Sequence, residues 1–330
     1  GSNNVGIGYQ ALQANTTANN NTAVGYQALY SNVAGIAQVA VGFQAAYAVN
    51  GSTYGGIVAI GSQALASVQN PYYPVAVGYQ AGYSYTSTGA TENTSSVFIG
   101  NQSGQKTTTG INNSFLGGFS AFNNSTGSNV VAIGGYALCN NTTASNNTAV
   151  GYQAGYNNTT GPHLTAIGYQ AGYNHTTGTE NTAIGSGALY GYNGGAGFVT
   201  GNYNVAVGRL ALFNNTTASY NTAVGYQSAF SNTATTQMVA IGYQSLYSVG
   251  AGSAGIVSIG SQAGYTYSGA GTESYGSTFV GYVAGNKTTS GNDNTFVGGQ
   301  AGYNNTTGNT NAAFGAASLY SNTSGTKNTG

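Results

Sequence analysis

The sequence predicts an all-β chain: a parallel β-roll or β-solenoid of about 17-residue repeats, one rung per repeat. Three observations carry that prediction. The phrase Asn21-Thr-Ala-Val-Gly-Tyr-Gln-Ala-Leu-Tyr30 returns in degraded form from end to end. Its spacing only ever lengthens. Its extended pieces are separated by Asn, Thr, Ser and Gly, the residues of turns.

The Gly after the branched residue serves as a marker. It falls at Gly8, Gly25, Gly42, Gly61, Gly78, Gly100, Gly117, Gly134, Gly151, Gly168, Gly185, Gly208, Gly225, Gly242, Gly260, Gly281, Gly298 and Gly315. Twelve of the seventeen intervals are 17 residues, and the others are 18, 19, 21, 22 and 23. Residues are inserted and none is lost, as expected when loops swell between fixed turns of a solenoid. The pattern runs through without a break, so 1–330 reads as one continuous β-solenoid of eighteen repeats. Copies begin and end in mid-phrase, and a segment of a longer fibrous protein is expected.

Within a copy the residue before the marker is mostly β-branched. Val24, Val41, Ile60, Val77, Ile99, Ile133, Val150, Ile167, Ile184, Val207, Val224 and Ile241 form an expected inward core ladder. Three after the marker the residue is always Ala or Ser. Ala28, Ala154, Ala171 and Ala188 therefore read as places where backbones approach closely. Five after it the residue is usually aromatic, as at Tyr30, Tyr47 and Tyr190. Each copy would hold two extended pieces, T-A-V and Y-Q-A-L-Y, joined at the Gly. Neither is stable alone. Stacked at about 4.8 Å, eighteen rungs would make a rod about 85 Å long.

Composition excludes much. Only eight of 330 residues are formally charged, against about a quarter in ordinary soluble domains. Four basic residues make no nucleic-acid footprint. No apolar run is long enough for a membrane helix, so no membrane contact is expected in this segment. Gly without a G-X-Y period excludes collagen. With so few groups to titrate or screen, stability should barely respond to pH or salt.

Candidate chemistry is sparse. Asn15, Asn124, Asn141, Asn158, Asn174, Asn215, Asn286, Asn305 and Asn322 each head an N-x-[ST] triplet, and most lie seven after the marker. They are candidate N-glycosylation sites lining one edge, with turn-supporting asparagines stacked in ladders that carry no glycan as the competing reading. Thr pairs such as Thr142-Thr143 would form rows, which admits ice binding. Tyr one after the marker, as at Tyr9, Tyr26 and Tyr152, suits either a sugar-stacking face or a seam with an identical chain. His163 and His175 and four scattered acids support no catalytic or metal constellation, so no enzyme, cofactor or metal is expected. The lone Cys139 stands at a usually aromatic position and reads as a small buried hydrophobe.

Asn147-Thr-Ala-Val-Gly-Tyr-Gln-Ala-Gly155 and Asn181-Thr-Ala-Ile-Gly-Ser-Gly-Ala-Leu189 resemble the head repeats of trimeric autotransporter adhesins. They are still more similar to the N-T-A-x-G-x-x-A-L repeats of phage tail fibres. The resemblance covers essentially the whole chain, though the 17-residue spacing and the scarcity of charge depart from the adhesin pattern. It implies a left-handed roll packed as a homotrimer, at the cell or virion surface or otherwise extracellular. The expected role is the shaft of an adhesin, tail fibre or glycan-coated filament, whose partners are identical chains and surface glycans. A carbohydrate-binding or carbohydrate-active solenoid is the alternative.

Overall fold

A computed structural model describes residues 1–50, 56–69, 73–86, 95–192, 198–250, 254–268 and 276–330. Parts of the lengthened intervals between markers fall outside those residues. Each copy contributes one strand of three residues. In a first compact unit, Gly1–His163, strands β1 to β9 are Val5–Ile7, Thr22–Val24, Val39–Val41, Val58–Ile60, Val75–Val77, Val97–Ile99, Ser114–Leu116, Val131–Ile133 and Thr148–Val150. In a second, Leu164–Gly330, strands β10 to β18 are Thr165–Ile167, Thr182–Ile184, Val205–Val207, Thr222–Val224, Val239–Ile241, Val257–Ile259, Thr278–Val280, Thr295–Val297 and Ala312–Phe314.

Within each unit consecutive strands pair in parallel, equivalent residues side by side. Ala23 lies beside Ala40, and Ala183 beside Ala206 across a 23-residue interval. The longer interval therefore leaves the rung in register. Each unit is a parallel β-solenoid with one rung per repeat.

The marker Gly ends each strand. Its φ lies between 112° and 138° in all eighteen copies, a region L side chains rarely adopt. Space forbids a side chain as well: a Cβ on Gly134 would lie 2.6 Å from the carbonyl oxygen of Gly151 on the next rung. The backbones of successive rungs thus approach closely at the marker, and the Ala three residues on lines the interior. Ala28, Ala154, Ala171 and Ala188 are all fully buried.

The second expected strand, Y-Q-A-L-Y, is not one. Gln27 and Leu29 have φ of 53° and 49°, and equivalent residues repeat this in most copies. Left-handed residues in alternation fold the segment into turns, at a cost of roughly 1–2 kcal/mol for each non-glycine. Pairing between rungs holds them there. Gln27 N donates to Tyr9 O at 2.9 Å, Leu29 N to Ala45 O at 3.1 Å and Ser31 N to Tyr47 O at 3.1 Å.

The interior also corrects the expected core. A three-residue strand turns only its middle side chain inward and both flanks outward. Ala23, Ala40, Ala59, Ala132 and Ala183 are accordingly fully buried. The branched column expected inside lies on the outer face. Val24, Val77, Ile99, Val150, Val207 and Val224 are half-buried, and Val41, Ile60, Ile133, Ile167, Ile184 and Ile241 are 36–40% exposed.

What fills the coil is alanine, leucine and asparagine. Four after the marker, Leu29, Leu65, Leu138, Leu189 and Leu212 are buried against a central Ala. Where the strand centre is Phe98, Phe279 or Phe296, that position is Gly104, Gly285 or Gly302, and beside Phe115 it is Ala121. Ring volume and leucine volume exchange across the interior, as close packing requires.

Two columns of asparagine complete it, four before and seven after the marker. Asn141 Nδ2 donates to Asn124 Oδ1 at 2.7 Å and to the Ala144 carbonyl at 3.0 Å, while its Oδ1 accepts from Asn158 Nδ2 at 2.9 Å. Asn21 Nδ2 donates to the Gly35 carbonyl and its Oδ1 accepts from Gln38 N, both at 2.9 Å. The columns converge: Asn204 and Asn215 both donate to the Ala218 carbonyl, at 2.9 and 3.2 Å. These buried amides avoid the penalty of an unsatisfied polar group because they meet equivalent asparagines one rung away or backbone groups of the coil.

Candidate functional site

With the branched column turned outward, the face of each unit's strand column is a continuous row of aliphatic and aromatic side chains. It carries Thr or Val three before the marker, Val or Ile one before, and often Tyr one after. Tyr9, Tyr79, Tyr169 and Tyr243 are at least half exposed. Tyr9, Tyr26 and Phe43 stack with centroids 5.3 Å apart, and Tyr226 and Tyr243 at 5.5 Å. Arg209 is the one charged residue in these columns. Its guanidinium lies 5.6 Å over the Tyr226 ring, and Nη1 donates to the Tyr226 hydroxyl at 3.3 Å.

The size of this face can be judged from the repeat. Nine rungs at about 4.8 Å and three residues at about 3.3 Å give roughly 400 Å² per unit. Contiguous apolar patches of about that size on a monomer are commonly sites of association.

The expected glycan edge is corrected. Asn124, Asn141, Asn158, Asn215 and Asn305 are fully buried. A glycan would be attached through Nδ2, and in Asn141 that atom is already the ladder's donor. This fold excludes sugar on those five. Asn15, Asn174, Asn286 and Asn322 are half-buried, and Asn322 Nδ2 bonds Asn305 Oδ1 at 2.9 Å.

The Thr rows lie on another edge. The first hydroxyl of a pair is engaged, Thr142 Oγ1 donating to the Thr159 carbonyl and Thr306 Oγ1 to the Thr323 carbonyl, each at 3.0 Å. Cys139 is buried, and that burial pushes its thiol up to about 11, with Lys106 opposing weakly. Among the described residues no group of three or more His, Cys, Asp and Glu could hold a metal ion, and no helix is long and apolar enough to cross a membrane.

His163 and His175 separate sharply. His163 is exposed in a turn, whereas His175 is fully buried in the asparagine column seven after the marker. Asn181 Nδ2 lies 3.0 Å from its Nε2. Burial lowers its pKa from 6.5 to about 4. Below pH 6.5 the unfolded chain takes up a proton that the folded chain refuses. Stability should therefore be level from pH 6.5 to about 8 and fall as pH drops from 6.5 towards 4, by about 3 kcal/mol in all. This departs from the flat response expected from composition. His175→Asn restores the column's usual residue and should abolish the slope in urea titrations across that window. An unchanged slope would place its origin elsewhere.

The inward amide columns were the feature sequence reasoning missed as a pair. Their signal was available: Asn four before and seven after the marker, with Gly or Ala ten after it. No family model, curated protein or solved structure matches the chain. The coils place it in the broad class of β-solenoid repeat proteins.

Proposed function

We propose that this chain is the structural repeat region of an extracellular fibre or filament, in which identical copies pack through the strand face. The homotrimer implied by the adhesin and tail-fibre resemblance is the closed arrangement favoured. The carrying observation is the outward column of Val and Ile, flanked by exposed Tyr and almost free of charge. Copies meeting there bury apolar surface without like-charge repulsion. The interior leaves little room for chemistry, being filled by Ala, Leu and hydrogen-bonded Asn.

A sugar-binding platform has weaker support. Tyr173, Tyr190, Phe213, Phe230, Tyr247 and Tyr265 stack in one column at 5.0–5.2 Å. The ring faces on which a pyranose would lie are covered by neighbouring rings. Engagement of Thr142 and Thr306 with backbone carbonyls weighs against an ice-matching grid in the same way.

Size-exclusion chromatography with light scattering tests the proposal. Ile133→Lys and Ile167→Lys, each placing a charge on the outer face, should leave the β circular dichroism unchanged while the assembled mass falls to that of one chain. Wild-type mass in both variants would rule out this face as the seam.

A further inference from the structure

The aromatic column five after the marker has four interior breaks, Ala66, Gln105, Cys139 and Asn286. Three are filled by the chain itself. Gln105 bonds Gln80 through its side-chain amide, and beside it Lys106 Nζ lies 5.0 Å from the centre of the Phe122 ring. Next to Cys139, Tyr136 stacks on Phe119 at 5.0 Å and reaches Tyr156 at 6.4 Å. Asn286 Nδ2 donates to the Gln262 carbonyl at 3.1 Å, with Lys287 Nζ over the Tyr303 ring at 4.9 Å.

The fourth break is open. Ala66 stands where a ring belongs between Tyr47 and Tyr83, and a cavity of about 400 Å³ opens there. Both tyrosines line it, with Gln63, Ser67 and Gln69 at its border. That volume falls within the range of small-molecule sites. The column below it is intact, Tyr30 and Tyr47 stacking with centroids 5.0 Å apart at an interplanar angle of 12°. The slot is therefore one missing step in a stack, walled by ring systems above and below and edged by amide and hydroxyl groups.

We infer that the Ala66 slot is a binding site for one planar heteroaromatic ring, held between Tyr47 and Tyr83 and addressed at its edge by Ser67 and Gln69, while the Gln63 amide is engaged with Gln44 and Gln80. A flat ring reproduces the missing step and gains stacking on both faces. A purely hydrocarbon ring would leave the polar border unmatched. A pyranose chair is thicker, with hydrogens projecting from both faces, and suits a one-ring gap less well. The slot lies off the strand face, so it stands or falls independently of the assembly proposed above.

Adenosine and indole-3-acetamide serve as probes, with methyl β-glucoside as contrast, in calorimetric titrations of the full chain. Saturable binding of at least one planar probe is expected, weakened at least tenfold by Ala66→Tyr, which supplies the missing ring. Tyr83→Gln should weaken it similarly, and the column already carries Gln at Gln105, so this variant decides the matter if Ala66→Tyr fails to fold. The inference is overturned if neither planar probe binds, if binding survives in a folded variant, or if the glucoside alone binds and is lost on substitution.

Discussion

Gly302→Leu is expected to lower the free energy of unfolding by about 3 kcal/mol, and Phe296→Ala made in the same chain should return most of that loss. A Cβ at Gly302 would lie 2.6 Å from Cζ of Phe296, and closer still to Cδ2 and Cε2 of the same ring. Phe296 is fully buried and has nowhere to swing. Backbone conformation is not the obstacle: Gly302 has φ 57°, and leucine occupies this position at Leu138 with φ 49°. Phe296→Ala alone leaves a cavity and should cost about 3–5 kcal/mol. The double variant recreates the pairing of Ala132 with Leu138. Urea unfolding of the four proteins should give a coupling of about 6 kcal/mol in favour of the pair, the two single losses largely cancelling. Additive losses would mean that ring and leucine do not share one space.

The second large effect is expected at neighbouring asparagines. Asn141→Ala removes the donor to Asn124 Oδ1 and the Ala144 carbonyl, and the acceptor for Asn158 Nδ2. All three asparagines are fully buried, so water cannot replace what is lost. At about 1–3 kcal/mol for each buried group deprived of its partner, a loss of about 4 kcal/mol follows. Asn140, one residue earlier, joins a similar ladder, accepting from Asn123 and donating to Asn157 at 3.0 Å each. It is half-buried at the surface, where water substitutes, and Asn140→Ala should cost about 1 kcal/mol or less. Equal losses at the two positions in chemical denaturation would contradict an internal amide column.

The number of rungs and their register were legible in the sequence because the marker Gly has no substitute. Its φ excludes L residues, and the next rung's carbonyl occupies the space of a Cβ. The face of the strand was not legible. Alternation says that Ala23 and Val24 point opposite ways, but not which is inside. Hydrophobicity alone chooses Val24, whereas the narrow coil admits only Ala23, with space given over to Leu29 and two asparagines. The exchange of Phe296 and Gly302 against Ala132 and Leu138 was the usable clue, since residues compensating in volume must share an interior. Polar character likewise drew Asn141 to the surface as a glycan acceptor. Where asparagine recurs on successive rungs, as at Asn124, Asn141 and Asn158, it finds its partner in its own equivalent, and burial then satisfies the amide.

The most direct test is thiol accessibility. In a Cys139→Ala background, Ala132→Cys and Ile133→Cys are labelled with a maleimide, in dissociated chains and in the assembled form. If the strand turns its alanine inward and offers its aliphatic residue to a neighbouring copy, Ile133→Cys labels rapidly when dissociated and is protected on assembly, while Ala132→Cys is protected in both. Rapid labelling at 132 with protection at 133 in the dissociated chain would contradict the account.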